Sequence, residues 1–327
     1  MAPLIVPRVV VITGASSGIG RAAAHRFAEA GDSLVLAARG QPGLDQVADE
    51  CRDRGAPVIT VPTDVSQEDQ VEGLVDQAIA AFGRIDVWVG CAAVFGYGTA
   101  EQMPGPVFRK IVDTNLLGQI YGARAVLPHF RERGGGAIIL VASVYSRIAT
   151  PYVSAYVASK HGLLGFAEAL RQEHYRDGIS VSTVLPATID TPLYQRSANY
   201  TGRRIHPLPP VVHPDRVARA IVKLADRPRA VVTVGRVQGA GVLARAALGA
   251  RLYDPAAGWA MRTFALRRHS APATAGSVFE AGEVAPTVTG GWRSPAIRGG
   301  ALVTAGMLAL ALLNRRPPGA DRRRLKG

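Results

Sequence analysis

The chain has 327 residues, of which 48% are hydrophobic and 6% aromatic, with 36 glycines and only two cysteines, Cys51 and Cys91. A large core can be buried, and a disulfide-framed scaffold is excluded. The formal charge of +13 suggests nucleic acid, but residues 1–226 hold 22 Lys and Arg against 21 Asp and Glu, and residues 227–327 hold 16 against 4. The excess therefore belongs to the C-terminal end. It favours an anionic surface such as a membrane, because no aromatic interleaving supports nucleic-acid binding.

Met1–Pro7 lacks the charged start and cleavage site of a signal peptide, so a cytoplasmic protein is expected. Residues 8–13 form a continuous apolar run, the pattern of a parallel strand buried on both faces. A helix follows at 21–30, stopped by Gly31, and then a strand at 34–38. The alternation continues with a helix at 44–54, a strand at 58–61, a helix at 68–82 and a strand at 85–89. One long helix spans 107–131, and a strand at 137–141 follows the turn Gly134-Gly135-Gly136. A helix at 155–176, a strand at 179–185, a helix at 214–224 and a strand at 230–234 complete the pattern. Such alternation predicts an α/β fold, a doubly wound parallel sheet of Rossmann type, as a single domain over residues 1–235.

A C-terminal extension follows. Residues 236–268 are rich in Ala and Arg and read as helical, with a break near Asp254-Pro255. Residues 269–298 read as an irregular linker. Residues 299–327 combine an uncharged apolar helix at 299–313 with a basic tail. Fifteen residues fall short of the roughly 20 that span a bilayer. Two readings stay open: a membrane anchor or interfacial helix with arginines against anionic headgroups, and a helix packed on the domain or a partner subunit of a homo-oligomer.

Thr13-Gly14-Ala15-Ser16-Ser17-Gly18-Ile19-Gly20 joins the first strand to the first helix. Gly14 allows the tight turn, Gly18 lets backbone approach a pyrophosphate, and Gly20 lets the helix pack on the sheet. The helix N-terminus then faces the phosphates with free N–H groups. The second strand ends in Arg39, where a protein preferring NAD carries an acid for the ribose hydroxyls. Arg39 suits a 2′-phosphate instead, so NADP(H) is expected over NAD(H); a solvated surface arginine is the rival reading. Asp64-Val65 follows the third strand, where the carboxylate can accept from the adenine amino group or cap a helix.

With Thr13-Gly14-x3-Gly18-x-Gly20, Asp64, Asn115, Ser143, Tyr156-x3-Lys160 and Pro186-x4-Thr191 in this order, residues 7–235 resemble the short-chain dehydrogenase/reductase family. The resemblance implies reversible carbonyl/alcohol chemistry on a small-molecule substrate with NAD(P). It also implies that Lys160 bonds the nicotinamide ribose and that Asn115 supports a water linked to Lys160. Ala92, Val65 and Pro186 are expected along the cofactor wall, with Thr188 and Thr191 on the carboxamide and pyrophosphate; a loop or helix cap is the rival role for Thr191. Two departures stand out. Gly90-Cys91-Ala92-Ala93 replaces the family's Asn-Asn-Ala-Gly, and Pro186-Ala187 replaces Pro-Gly, where the extra methyl is expected to narrow the nicotinamide pocket.

Tyr156 and Lys160, four apart, share one helix face. A nearby ammonium is expected to lower the phenol's pKa, so that Tyr156 can exchange a proton with a substrate oxygen held by Ser143. A cofactor-binding scaffold without turnover has no need of Ser143, Tyr156 and Lys160; dehydration or epimerisation on the same fold stays open. Residues 193–210 are expected to form a substrate lid. Cys91 reads as a small apolar filler, and His161, His174 and His206 show no metal-ligand spacing.

Overall fold

A computed structural model of the chain describes residues 7–282 and 286–293, with only the backbone at 236–239 and 268. The expected apolar helix at 299–313 and its basic tail lie outside the described residues.

The alternating part opens with β1 (Val9–Thr13), α1 (Gly18–Glu29), β2 (Ser33–Ala38), α2 (Gln41–Arg52), β3 (Val58–Pro62) and α3 (Glu68–Phe82). Next come β4 (Val87–Gly90), the two-residue β5 (Gly96–Tyr97), α4 (Gly105–Val112), α5 (Gly118–Glu132), β6 (Gly136–Val141) and α6 (Ser154–Glu173). The remainder comprises β7 (Ile179–Pro186), β8 (Ala198–Asn199), β9 (Arg203–Ile205), α7 (Asp215–Asp226), β10 (Val231–Val234), α8 (Arg236–Ala260) and β11 (Leu266–Ser270). Seven strands form one parallel sheet in the order β10-β7-β6-β4-β1-β2-β3. All five residues of β1 are buried, as its unbroken apolar run requires. Phe27, Leu44 and Ile221 of α1, α2 and α7 pack on one face of the sheet. Leu74, Phe130 and Leu163 of α3, α5 and α6 pack on the other.

The connections reverse direction between β1 and β4, and a cleft opens at the carboxyl ends of these two strands, the usual place for a ligand in such sheets.

Three local features depart from the sequence pattern. The helix expected over 107–131 is two helices separated by a π-helical turn at Asp113–Leu117. Within that turn the Asn115 amide accepts from the Val94 N–H at 2.8 Å and donates to the Val94 carbonyl at 2.9 Å. This pair ties the turn to the loop after β4. In the extension, α8 breaks at Gly249 (φ 66°, ψ 174°) rather than at Asp254-Pro255. Glycine reaches that conformation at no steric cost, whereas Pro255 removes only a hydrogen bond to Arg251, two residues past the break. Finally, 269–298 has little regular structure but is no free linker. Asn199 and Thr274 exchange backbone hydrogen bonds at 2.8 and 3.0 Å, and β11 pairs with β9.

Candidate active site

The glycine loop is shaped by what its neighbours leave room for. At Gly14 (φ 68°) a Cβ would lie 2.7 Å from the Ala92 Cα, and at Gly20 it would strike the Gly14 carbonyl. At Gly18 (φ 57°) it would sit 3.0 Å from the Thr191 methyl. Glycine at these three positions leaves a backbone cradle at the start of α1, the geometry that suits a pyrophosphate. The cradle opens into a cavity of about 1000 Å³ that runs to Ser143, Tyr156 and Lys160.

Ser16, Ser17, Ile19, Arg39, Asp64, Val65, Ala92, Pro186, Thr188 and Thr191 line this cavity, together with the three glycines. Thr13 and Asn115 do not; they stand behind its wall. The Thr13 hydroxyl accepts from the N–H groups of Cys91 and Ala92 at 3.1 and 3.3 Å, closing the loop onto the end of β4. The Asn115 side chain is committed to Val94. A proton relay at this position would have to use its main-chain carbonyl, and the side chain acts as a clamp.

Both sequence departures have a structural counterpart. A side chain at Gly90 would collide with the carboxamide of Gln119, which donates to the Ala92 carbonyl at 2.8 Å. An amide from α5 thus braces this wall from the opposite side. The Ala187 methyl points at Gly235 (φ 121°), where an added Cβ would collide with it. Glycine after β10 makes room for the methyl, although Ala187 still lines the cavity.

Tyr156 and Lys160 lie on α6, with the ammonium 5.6 Å from the phenol ring centroid. Both are buried. Lys160 Nζ donates to the Val141 carbonyl at 2.9 Å, and burial lowers its pKa to about 8. Burial raises the Tyr156 pKa above its usual value, and the neighbouring Ser143 hydroxyl opposes the rise. The expected lowering by Lys160 does not emerge, because burial of the phenol outweighs the neighbouring groups and favours its neutral form. Ser143 also accepts from the Tyr145 N–H at 3.1 Å, which caps the short turn after β6 and fixes the hydroxyl. Burial likewise pushes the Cys91 thiol up to about 12, in keeping with an inert filler.

Asp64 is bound to Lys110 at 2.8 Å and accepts from the N–H and hydroxyl of Ser66 at 3.0 and 2.8 Å, which hold its carboxylate below the usual range against the effect of burial. Lys110 was not legible as its partner. Arg39 donates to the carbonyls of Ser277 and Val278 at 2.6 and 3.0 Å.

That contact belongs to an unexpected part of the site. Residues 274–282 and 286–293 pass over the cofactor end of the cleft, and Ser277, Ala281, Gly282 and Pro286 line it. At one end of this strap Val278 is fully buried among Val94, Met103 and Ile111. At the other, Asp190 accepts from the N–H groups of Gly290 and Trp292 at 3.0 and 2.8 Å, and the Trp292 indole donates to the Thr191 carbonyl at 3.2 Å. The Gly18 N–H donates to the Thr287 carbonyl at 2.9 Å. Nothing in the Gly-, Ala- and Pro-rich sequence signals these contacts, since most of them use main-chain atoms.

Beyond Tyr156 the cavity is walled by the segment after β7 (Leu193, Tyr194, Leu208) and by α8 (Leu248, Leu252, Tyr253). Its charged lining residues among those described are Arg39, Asp64, Lys160 and Arg196.

A parallel sheet with a glycine cradle at its switch point, leading to a buried tyrosine and lysine, defines a dinucleotide-dependent oxidoreductase. Residues 8–200 match the short chain dehydrogenase family, and the chain belongs to it. It is 36% identical over 251 residues to an uncharacterised oxidoreductase, YxnA, of Bacillus subtilis (strain 168), covering 76% of this chain and 70% of the relative. It is also 36% identical over 237 residues to 11-beta-hydroxysteroid dehydrogenase A of Sesamum indicum, covering 69% and 68% respectively. Among solved structures, levodione reductase superposes with a TM-score of 0.64 at 28% identity, over 71% of this chain and 98% of that one. An alcohol dehydrogenase from Thermococcus sibiricus complexed with 5-hydroxy-NADP superposes with a TM-score of 0.63 at 27% identity, over 70% and 96%.

Proposed function

We propose that the chain is an NADP(H)-dependent oxidoreductase that interconverts an uncharged, largely apolar carbonyl compound and its alcohol. One observation carries the reading: Ser143, Tyr156 and Lys160 are buried together in the cavity that begins at the glycine cradle.

When bound, the nicotinamide supplies or accepts the hydride. In reduction, the neutral Tyr156 phenol gives its proton to the carbonyl oxygen as the carbon takes up the hydride, and the product is the alcohol. The Ser143 hydroxyl holds the substrate oxygen beside the phenol and stabilises the phenolate left behind. The Lys160 ammonium, on the adjacent turn of α6, stabilises that phenolate electrostatically and hydrogen-bonds the ribose. Gly14, Gly18 and Gly20 would admit the pyrophosphate, which would take the Gly18 N–H over from the Thr287 carbonyl; Thr188 and Thr191 would hold the carboxamide and pyrophosphate, and Arg39 would receive the 2′-phosphate.

The substrate end supports an uncharged ligand. No described lining residue there carries a charge to pair with a carboxylate or phosphate, and leaving such a group unpaired in an apolar cavity is costly. The hydroxysteroid dehydrogenase and levodione reductase among the similar proteins are compatible with this class.

The test is a panel of alicyclic and aliphatic ketones and alcohols, followed at the NADPH absorbance band. Tyr156→Phe should reduce turnover by at least about a hundredfold, as loss of a general acid implies, while NADPH binding is retained. Turnover unaffected by Tyr156→Phe would overturn the catalytic assignment, and equal wild-type affinity for NADPH and NADH would overturn the cofactor assignment.

A further inference from the structure

The strap reaches the substrate end of the cleft through the half-buried indole of Trp292. Its N–H is shared between the Thr191 carbonyl at 3.2 Å and Gln195 Oε1 at 3.1 Å. Its ring meets Tyr194 edge to face, with centroids 6.2 Å apart and planes at 86°, and meets His206 in the same way at 5.2 Å and 77°. Tyr194 stands near the start of the segment read as a substrate lid, and His206 near its far end. The indole thus joins both limbs of that segment.

Gly290 makes this placement possible. A Cβ at residue 290 would fall 2.5 Å from the indole nitrogen and would strike the Thr191 carbonyl. The ring is not what fastens the strap, because the main chain is held separately: Asp190 accepts from the N–H groups of Gly290 and Trp292. On its other side Tyr194 faces the reaction centre. Its ring lies 6.0 Å from that of Phe95, and Phe95 packs on the Tyr156 phenol at 4.3 Å. Tyr194 and Phe95 line the cavity, and Trp292 stands behind them. An aromatic side chain that loses an edge-to-face partner can turn into the space left, so the indole controls where the Tyr194 ring stands.

We propose that Trp292 is the positioning residue of the substrate wall: it holds Tyr194 against Phe95, and so sets the width of the cavity beside the Tyr156 phenol. This rests on the reading of the cavity as a carbonyl site and adds to it a residue from the C-terminal strap. Trp292 acts through Tyr194 and touches no reacting atom.

Trp292→Ala removes the ring and keeps the main-chain bonds to Asp190, whereas Trp292→Phe keeps a ring and loses the indole N–H. Two measurements on the full chain separate the hold on the lid from the reaction. Hydrogen exchange read by mass spectrometry should be faster across 193–206 in Trp292→Ala, with the central sheet unchanged. In steady-state reduction of cyclohexanone and 2-decalone by NADPH, Trp292→Ala should raise KM by about tenfold, the scale of losing two aromatic contacts, while kcat and NADPH affinity stay as in wild type. Trp292→Phe should recover most of the loss in KM. Unchanged exchange in the lid would overturn the proposal, as would a loosened lid with unchanged KM. Equal loss of NADPH and ketone affinity would also overturn it, since the ring would then only fasten the strap. If wild type reduces no ketone of the panel and Trp292→Ala still loosens the lid, the carbonyl reading falls and the hold of Trp292 on Tyr194 stands.

Discussion

Burial holds Tyr156 and Lys160 towards their uncharged forms. A neutral phenol is ready to give a proton to a carbonyl oxygen, whereas an alcohol substrate would need that proton removed first. Lys160 keeps its charge only below about pH 8, since desolvation favours the neutral amine. The sign follows. Below this pH the ammonium is present to stabilise the forming phenolate; as pH rises through it, the charge is lost and reduction slows. The kcat/KM profile for ketone reduction, which reports the free enzyme, should therefore be level in the acid direction and fall above about 8. A profile level to pH ~9 would remove Lys160 from this role.

The C-terminal elements complete the cleft that the sheet begins. Gly249 turns α8 so that its two parts follow the apolar end of the cavity, and the strap covers the cofactor end. Val278 anchors the strap because its side chain is fully enclosed by Val94, Met103 and Ile111. An aspartate there would have to ionise in an apolar setting, so Val278→Asp should cost more than about 2 kcal/mol locally. The expected result is release of the strap, seen as new protease cleavage within 271–293 and faster NADPH dissociation in stopped flow. A variant as protected as wild type would show that the Asp190–Trp292 contacts suffice to hold it.

The charge of the molecule is divided, with a balanced catalytic region and a basic end. We propose that residues 299–327 use their apolar run and arginines to bind an anionic membrane, a setting that would concentrate an apolar substrate. Among the described residues no helix is long and apolar enough to cross a membrane, so the proposal rests on the sequence of this end. Cell fractionation should find the full chain with membranes and a chain ending at Pro295 in the supernatant. Equal solubility of the two would end the idea.

The seven strands of the main sheet and the helices between them, with α4 and α5 read as one, were legible along the chain because each buries a continuous or periodic apolar pattern, a property of neighbours in sequence. The glycine loop, Arg39, Ser143, Tyr156 and Lys160 were legible because local spacing positions them: a turn between strand and helix, a strand end, one helix face. The π-helical turn at Asn115 was not, since it depends on a clamp to Val94, 21 residues earlier. Nor were Gln119 behind Gly90, Gly235 beside Ala187, Lys110 on Asp64 or the strap. Each is a meeting of residues far apart in the chain, many through main-chain atoms that every sequence shares. Local order and the candidate residues of the centre therefore follow from the amino-acid sequence. The covering of the cleft by the strap exists only once folding has closed the distance between the segments.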